Sequence, residues 1–210
     1  MQIAFALYPG FTALDFIGPY QVLSNVPGEE VVLCAAEPGT VTDDNGLLHL
    51  QVETALADVP SPDIVVVPGG PGSRTSAAAS EGPFVTWLRS VHETTTWTTS
   101  VCTGALLLGA AGILDGLSAT THWLYYDELA AFGARPTEER VVIEGKVATA
   151  AGVSAGIDLA LTIVGRQWGE DVAKAIQLGI EYDPQPPYDS GSPSKAQPAI
   201  RDLVAGLKGS

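Results

Sequence analysis

The sequence predicts an α/β protein in which a mainly parallel sheet is covered by helices on both faces. Three observations carry this. Short apolar runs alternate with longer segments of helical spacing. One run, IVVV at 64–67, is apolar at every position, as in strands buried on both faces. The clearest runs end in glycine-containing corners: Pro9-Gly10, Pro68-Gly69-Gly70-Pro71-Gly72 and Cys102-Thr103-Gly104.

Taken in order, residues 2–7 form the first strand. Thr12 then stands where a helix cap belongs, ahead of Leu14, Ile17 and Leu23, which puts Asp15 in the first turn. Residues 31–35 are a second strand, and 41–52 a hairpin around Asp43-Asp44-Asn45-Gly46. The strand at 63–67 ends in the Gly-rich corner, where Pro68 and Pro71 are expected to hold a rigid loop. A helix over 83–92 leads into a strand over 96–101, which breaks at Cys102 into a helical run over 105–111. Residues 119–123 precede further helix, and 140–150 reads as two strands joined by Glu144-Gly145-Lys146. Ile157, Leu161 and Val164 place a helix from Ser154 to about residue 180, with a weak point at Gly169. Residues 181–198, rich in Pro, Ser and Gly, are expected to wrap irregularly over the surface, and a short helix over 198–207 ends the chain. No repeat or linker interrupts the sequence, so 1–210 is expected to be one domain.

Composition narrows the function classes. The 210 residues are 46% hydrophobic and 16% charged, with 23 Gly and 15 Pro, which excludes disorder, coiled coil and collagen. Ten Lys and Arg against 24 Asp and Glu leave a formal charge of −14, a sign that repels nucleic-acid phosphates and anionic lipid alike. Neither nucleic acid nor membrane is an expected partner. Two cysteines, Cys34 and Cys102, make neither a disulfide framework nor a zinc site, and fit a reducing compartment. The opening MQIAFALYPGF lacks a basic region and is too short for a signal peptide or span, so a cytoplasmic location is expected. No His or Cys cluster has ligand spacing and no Gly-x-Gly-x-x-Gly follows a strand; no metal or other cofactor is expected.

Chemistry concentrates at Ser100-Val101-Cys102-Thr103-Gly104. A small residue two before and two after a potential nucleophile is the spacing of a nucleophile elbow. Such a turn leaves the sulfur at a helix N-terminus, where amides and the helix dipole favour thiolate. The bland alternative is a buried small hydrophobe. An amide from Gly70, at the same sheet edge, can join that of Thr103 to stabilise developing negative charge; a Gly pair after a strand is equally an ordinary turn. Asp15, between Leu14 and Phe16, is a candidate proton exchanger, or simply an acid favoured at a helix start. His49 and His92 read as solvated, and His122 as a hydrogen-bonded structural residue, with a Cys–His pair left open.

Several segments resemble the ThiJ/PfpI superfamily: PGFTALDFIGPYQVL, DIVVVPGGPG, SVCTGALLLGAAGILDGLSATTHW, and GVSAGIDLAL followed by LGIEYDPQPPYDSGSP. The Leu-Asp-x-x-Gly-Pro and Cys-Thr-Gly combination is similar to its isocyanide hydratase branch. The resemblance implies a flavodoxin-like sandwich, a homodimer, and cofactor-independent conversion of an isocyanide and water to an N-substituted formamide. It makes Cys102 the nucleophile, Asp15 the general acid/base and Thr103 a neighbour whose hydroxyl supports the site. Thr103 stands where PfpI-type proteases carry His, which counts against a peptidase, and no downstream His-x-Glu of the amidotransferase relatives is seen. Where hydratases often show a run of glycines, this chain reads Ala150-Ala151-Gly152-Val153, so Ala151, Gly152 and Val153 are assigned to the pocket or to a mobile helix whose motion the extra methyl groups restrict.

The implied chemistry suits the residues. A thiolate attacks the terminal carbon, a proton is expected at the nitrogen side of the adduct, and the resulting thioimidate is hydrolysed with Asp15 directing water. Phe16, Tyr20 and Trp123 are aromatic candidates for a small apolar pocket; Glu181 and Asp183 are acids without an assigned role. A redox sensor at Cys102, a regulatory domain of the same superfamily, and a hydrolase or glyoxalase remain competing readings.

Overall fold

The computed structural model describes residues 1–78 and 81–208. The chain divides into two compact units, Met1–Ile180 and Glu181–Ser210.

The first unit opens with β1 (Gln2–Leu7) and α1 (Ala13–Leu23), then β2 (Glu30–Ala35), β3 (Gly39–Thr42), β4 (His49–Val52), β5 (Thr54–Ala55) and β6 (Ile64–Val67). It continues through α2 (Pro71–Ala78), α3 (Pro83–His92), β7 (Trp97–Val101), α4 (Gly104–Ala110), β8 (Ser118–Ala119), α5 (Tyr126–Ala131) and β9 (Arg135–Pro136). It closes with β10 (Val141–Glu144), β11 (Val147–Ala150), α6 (Ala155–Trp168) and α7 (Glu170–Gly179). Seven strands make one sheet in the order β10-β11-β7-β6-β1-β2-β5, parallel except for β10 against β11.

This is a flavodoxin-like sandwich. From β1 the chain steps outward to β2 in one direction, then crosses back to β6 and β7 in the other. Because such crossovers are right-handed, the reversal sends α1 to one face and α2–α4 to the other. It also opens a crevice beyond the carboxyl ends of β1 and β6, where ligands of such sheets bind. The central strands are apolar through and through: Ile3 to Leu7 are fully buried, as are Ile64 and Val67, because helices cover both faces.

Several expectations are corrected. The helix expected to run from Ser154 to about residue 180 is two helices, since Gly169 sits at φ +99°, a conformation that no helix contains. Pro71 does not extend a rigid loop; it is the first residue of α2, where proline's fixed φ and missing N–H cost nothing. Thr12 occupies the cap position of α1, but its hydroxyl donates to Asp44 Oδ2 (2.7 Å) in the β3–β4 hairpin instead of capping the helix. That hairpin forms where expected, its turn held by Asp43 Oδ1 accepting from the Leu47 and Leu48 amides (2.9 and 3.0 Å).

In the second unit, residues 181–197 contain no helix or strand, and α8 (Pro198–Lys208) follows. Lys195 pairs with Asp189 at 2.9 Å. No helix among the described residues is long and apolar enough to cross a membrane.

Candidate active site

Cys102 follows β7 directly and adopts φ +56°, a left-handed conformation that costs a residue with a side chain roughly 1–2 kcal/mol. The neighbours hold it there. Its N–H is shared between Ala150 O (3.0 Å) and Ala151 O (2.9 Å) at the end of β11, and its carbonyl accepts from Thr121 Oγ1 at 2.9 Å. Gly104 lets α4 start immediately afterwards: a Cβ there would lie 2.3 Å from Val67 O. The elbow expected from spacing is thus present.

Asp15 and Cys102 are both buried, at 0% and 3% exposure, so the acid does not point into solvent. The corner after β6 lies against both segments. The Gly69 N–H donates to Asp15 Oδ2 at 2.9 Å, and the Gly69 carbonyl accepts from Thr12 N at 2.8 Å. A Cβ on Gly69 would lie 2.5 Å from Thr103 N and 2.6 Å from Asp15 Oδ2, so only glycine fits between the two.

The Gly70 amide differs from the expectation. It donates to Thr103 Oγ1 at 2.9 Å, so this donor is committed to a side chain and does not face a reacting atom. Gly70 and Thr103 thereby fasten two strand ends together. Ser73, the third residue of α2, joins them: its Oγ lies 2.8 Å from Thr103 Oγ1 and 2.7 Å from Gly70 O. The Tyr8 hydroxyl, at the end of β1, donates to Pro68 O. Burial, followed by the nearby Asp15 and Cys102, pushes the Tyr8 phenol well above its usual range, so it remains a donor at neutral pH.

His122 Nδ1 accepts from Leu124 N at 3.3 Å, which makes the ring a cap for the turn that follows, and it stacks on Trp123 with centroids 5.8 Å apart. Phe16 is 3% exposed and meets Phe5 edge-on at 5.4 Å. Tyr20 is 36% exposed on α1. Ala151, Gly152 and Val153, all partly buried, link β11 to α6 beside the elbow, with Gly152 against the His122 ring. Glu181 and Asp183 lie in the second unit. Burial pushes the Cys34 thiol up to about 12. Among the described residues no group of three or more His, Cys, Asp or Glu could hold a metal ion. A cleft of about 600 Å³ between α1 and α7, lined by Gln21, Asn25, Val172 and Ile176 among others, involves none of the elbow residues.

Sequence reasoning missed Gly69, Ser73 and Tyr8. Gly69 was visible as half of a glycine pair, but nothing local says which of the two amides faces the acid. Ser73 and Tyr8 carry no local signal.

The chain is similar to known proteins along most of its length. The model of the DJ-1/PfpI family matches residues 1–166. An isonitrile hydratase from Pseudomonas putida is 43% identical over 202 residues, 96% of this chain and 87% of that protein. The crystal structure of a ThiJ/PfpI family protein from Pseudomonas syringae superimposes with a TM-score of 0.92 at 36% identity, over 98% of this chain and 85% of that one. The HTH-type transcriptional regulator CdhR of Pseudomonas aeruginosa is 28% identical over 185 residues, and this chain spans 53% of its length.

Proposed function

The chain belongs to the DJ-1/PfpI family, and from that premise we propose that it hydrates an isocyanide to the N-substituted formamide, with Cys102 as nucleophile and Asp15 moving the protons. The observation that carries this reading is the juxtaposition of a cysteine on a left-handed elbow with a buried carboxylate, across one glycine corner, in a chain 43% identical to an isonitrile hydratase.

The steps follow from the electronic structure of the substrate. The terminal carbon of R–NC carries a lone pair and is also electrophilic. The Cys102 thiolate forms a C–S bond to it, and the Asp15 carboxyl delivers a proton. That first proton goes to carbon and not to the nitrogen side, because addition leaves the electron pair on carbon; the product is the thioimidate R–N=CH–S–Cys102. Water then adds to the same carbon, with the Asp15 carboxylate accepting one of its protons and the nitrogen gaining one. Breaking the C–S bond releases R–NH–CHO and returns the thiolate. Water alone balances the atoms and no electrons change hands, so the sequence draws on no cofactor.

The remaining roles follow. Thr103 and Gly70 hold the elbow to the neighbouring strand end through the 2.9 Å contact between them. Ala151, Gly152 and Val153 form the wall beside the sulfur whose movement accommodates the adduct. We assign the enzyme to the cytoplasm, on its two free cysteines, and infer that it works as a homodimer. Incubation with a simple alkyl isocyanide tests the reading: the wild type forms the formamide and Cys102→Ala does not, while full activity in Cys102→Ala would falsify it.

A further inference from the structure

We propose that Ser73 is a positioning residue for this reaction: its hydroxyl, set between the Thr103 hydroxyl and the Gly70 carbonyl, holds the glycine corner that in turn holds Asp15. The inference rests on the proposed hydration for its activity readout and on geometry for the rest.

Glycine has the widest backbone freedom of any residue, so two in succession make a poor platform unless each peptide plane is tied. Here three successive planes are. The Pro68–Gly69 peptide accepts from the Tyr8 hydroxyl and donates to Asp15 Oδ2 (2.9 Å). The Gly69–Gly70 peptide accepts from Thr12 N (2.8 Å) and donates to Thr103 Oγ1 (2.9 Å). The Gly70–Pro71 peptide has only a carbonyl to offer, because proline lacks an N–H. That carbonyl accepts from the Ser73 N–H at 3.0 Å, lies 2.7 Å from Ser73 Oγ and 3.2 Å from Thr103 Oγ1, and the two hydroxyls are 2.8 Å apart.

Two hydroxyl protons are thus shared among three contacts. Ser73 can donate to Gly70 O and Thr103 to Ser73, Ser73 can donate to Thr103 and Thr103 to Gly70 O, or both can donate to Gly70 O. All three arrangements use the Ser73 hydroxyl, and all leave the Thr103 oxygen free to accept from the Gly70 amide. Ser73 is fully buried, so water does not substitute readily for its hydroxyl. A contact from Ser73 Oγ to the carbonyl three residues back is also an ordinary local turn motif, which would act on α2 alone. The two roles differ in one respect: a local motif is indifferent to Thr103, whereas a positioning clamp acts through it.

The experiment compares Ser73→Ala, Thr103→Val and the double variant with an alkyl isocyanide, and follows hydrogen exchange of the peptide covering Gly69 and Gly70. We expect Ser73→Ala to lower kcat by about tenfold with KM nearly unchanged, because geometry and not binding is loosened. The double variant should be no slower than the slower single variant, since both remove one linked unit. Exchange at Gly69 and Gly70 should accelerate in all three variants. Wild-type kcat in Ser73→Ala, or losses that multiply in the double variant, would overturn the proposal. If Ser73→Ala fails to fold, Thr103→Val tests the clamp from its other side, and unchanged exchange at the glycines overturns it. Faster exchange in variants of a wild type that forms no formamide overturns the proposed reaction and supports the clamp.

Discussion

The Gly69 N–H donates to Asp15 Oδ2 at 2.9 Å, joining the corner after β6 to the first turn of the helix after β1. The two residues are 54 positions apart in the chain and meet only because β1 and β6 are neighbours in the sheet. This bond fixes which oxygen is held, and so how the carboxyl group is turned relative to the elbow.

Asp15→Asn keeps this shape, because the amide oxygen still accepts from Gly69, but removes proton exchange. The expected result is a kcat loss of roughly 10²–10⁴ with a melting temperature close to wild type. Steady-state formamide production and a thermal scan on one preparation check it; a variant as fast as wild type would remove Asp15 from the mechanism.

Gly69→Ala places a methyl group 2.5 Å from Thr103 N and 2.6 Å from Asp15 Oδ2. One of them must move. Overpacking of this kind costs about 1–3 kcal/mol, and displacement of a catalytic group by about 1 Å costs about 10²-fold in rate. Urea unfolding and kcat together should show both losses.

The two cysteines should differ in reactivity. With its thiol pushed up to about 12 by burial, Cys34 is ionised to only about one part in ten thousand at pH 8. Iodoacetamide at that pH should therefore add once, at Cys102, and Cys102→Ala should give no adduct by intact-mass measurement. Labelling at Cys34 would contradict this assignment.

His92 gives a pH dependence of stability whose sign follows from its surroundings. Burial, and then the neighbouring Lys146 charge, lower its pKa from 6.5. Lys146 is held there by the carbonyls of His92, Glu93 and Thr95 at the end of α3. The unfolded chain therefore binds a proton more readily than the folded one. Stability is fully present above the unfolded value and is lost as pH falls from there through the lower folded value. Melting temperature should drop between about pH 7.5 and pH 5 in the wild type, and less in His92→Asn.

The strands were legible because their signal is local. QIAFAL, EVVLCA and IVVV are short apolar runs, and a sheet buried on both faces requires nothing more of them. Helix α2 was not legible: PGSRTSAA has no apolar period to reveal a helical face. The two-residue strands β5, β8 and β9 are too short for any period. The break between α6 and α7 was visible as Gly169, but only the backbone shows that this glycine leaves the helical region altogether.

The site divides in the same way. Cys102 announces itself because an elbow is made by consecutive residues, and Asp15 because a helix start is too. Their spacing in sequence states the chemistry available to each alone. What holds them together was decided by the sheet order, which brings the ends of β1, β6 and β7 side by side and sets Gly69, Gly70, Thr103 and Ser73 in contact. Hydrogen bonds between segments tens of residues apart depend on which strands become neighbours, and strand neighbours are chosen by the packing of the whole core.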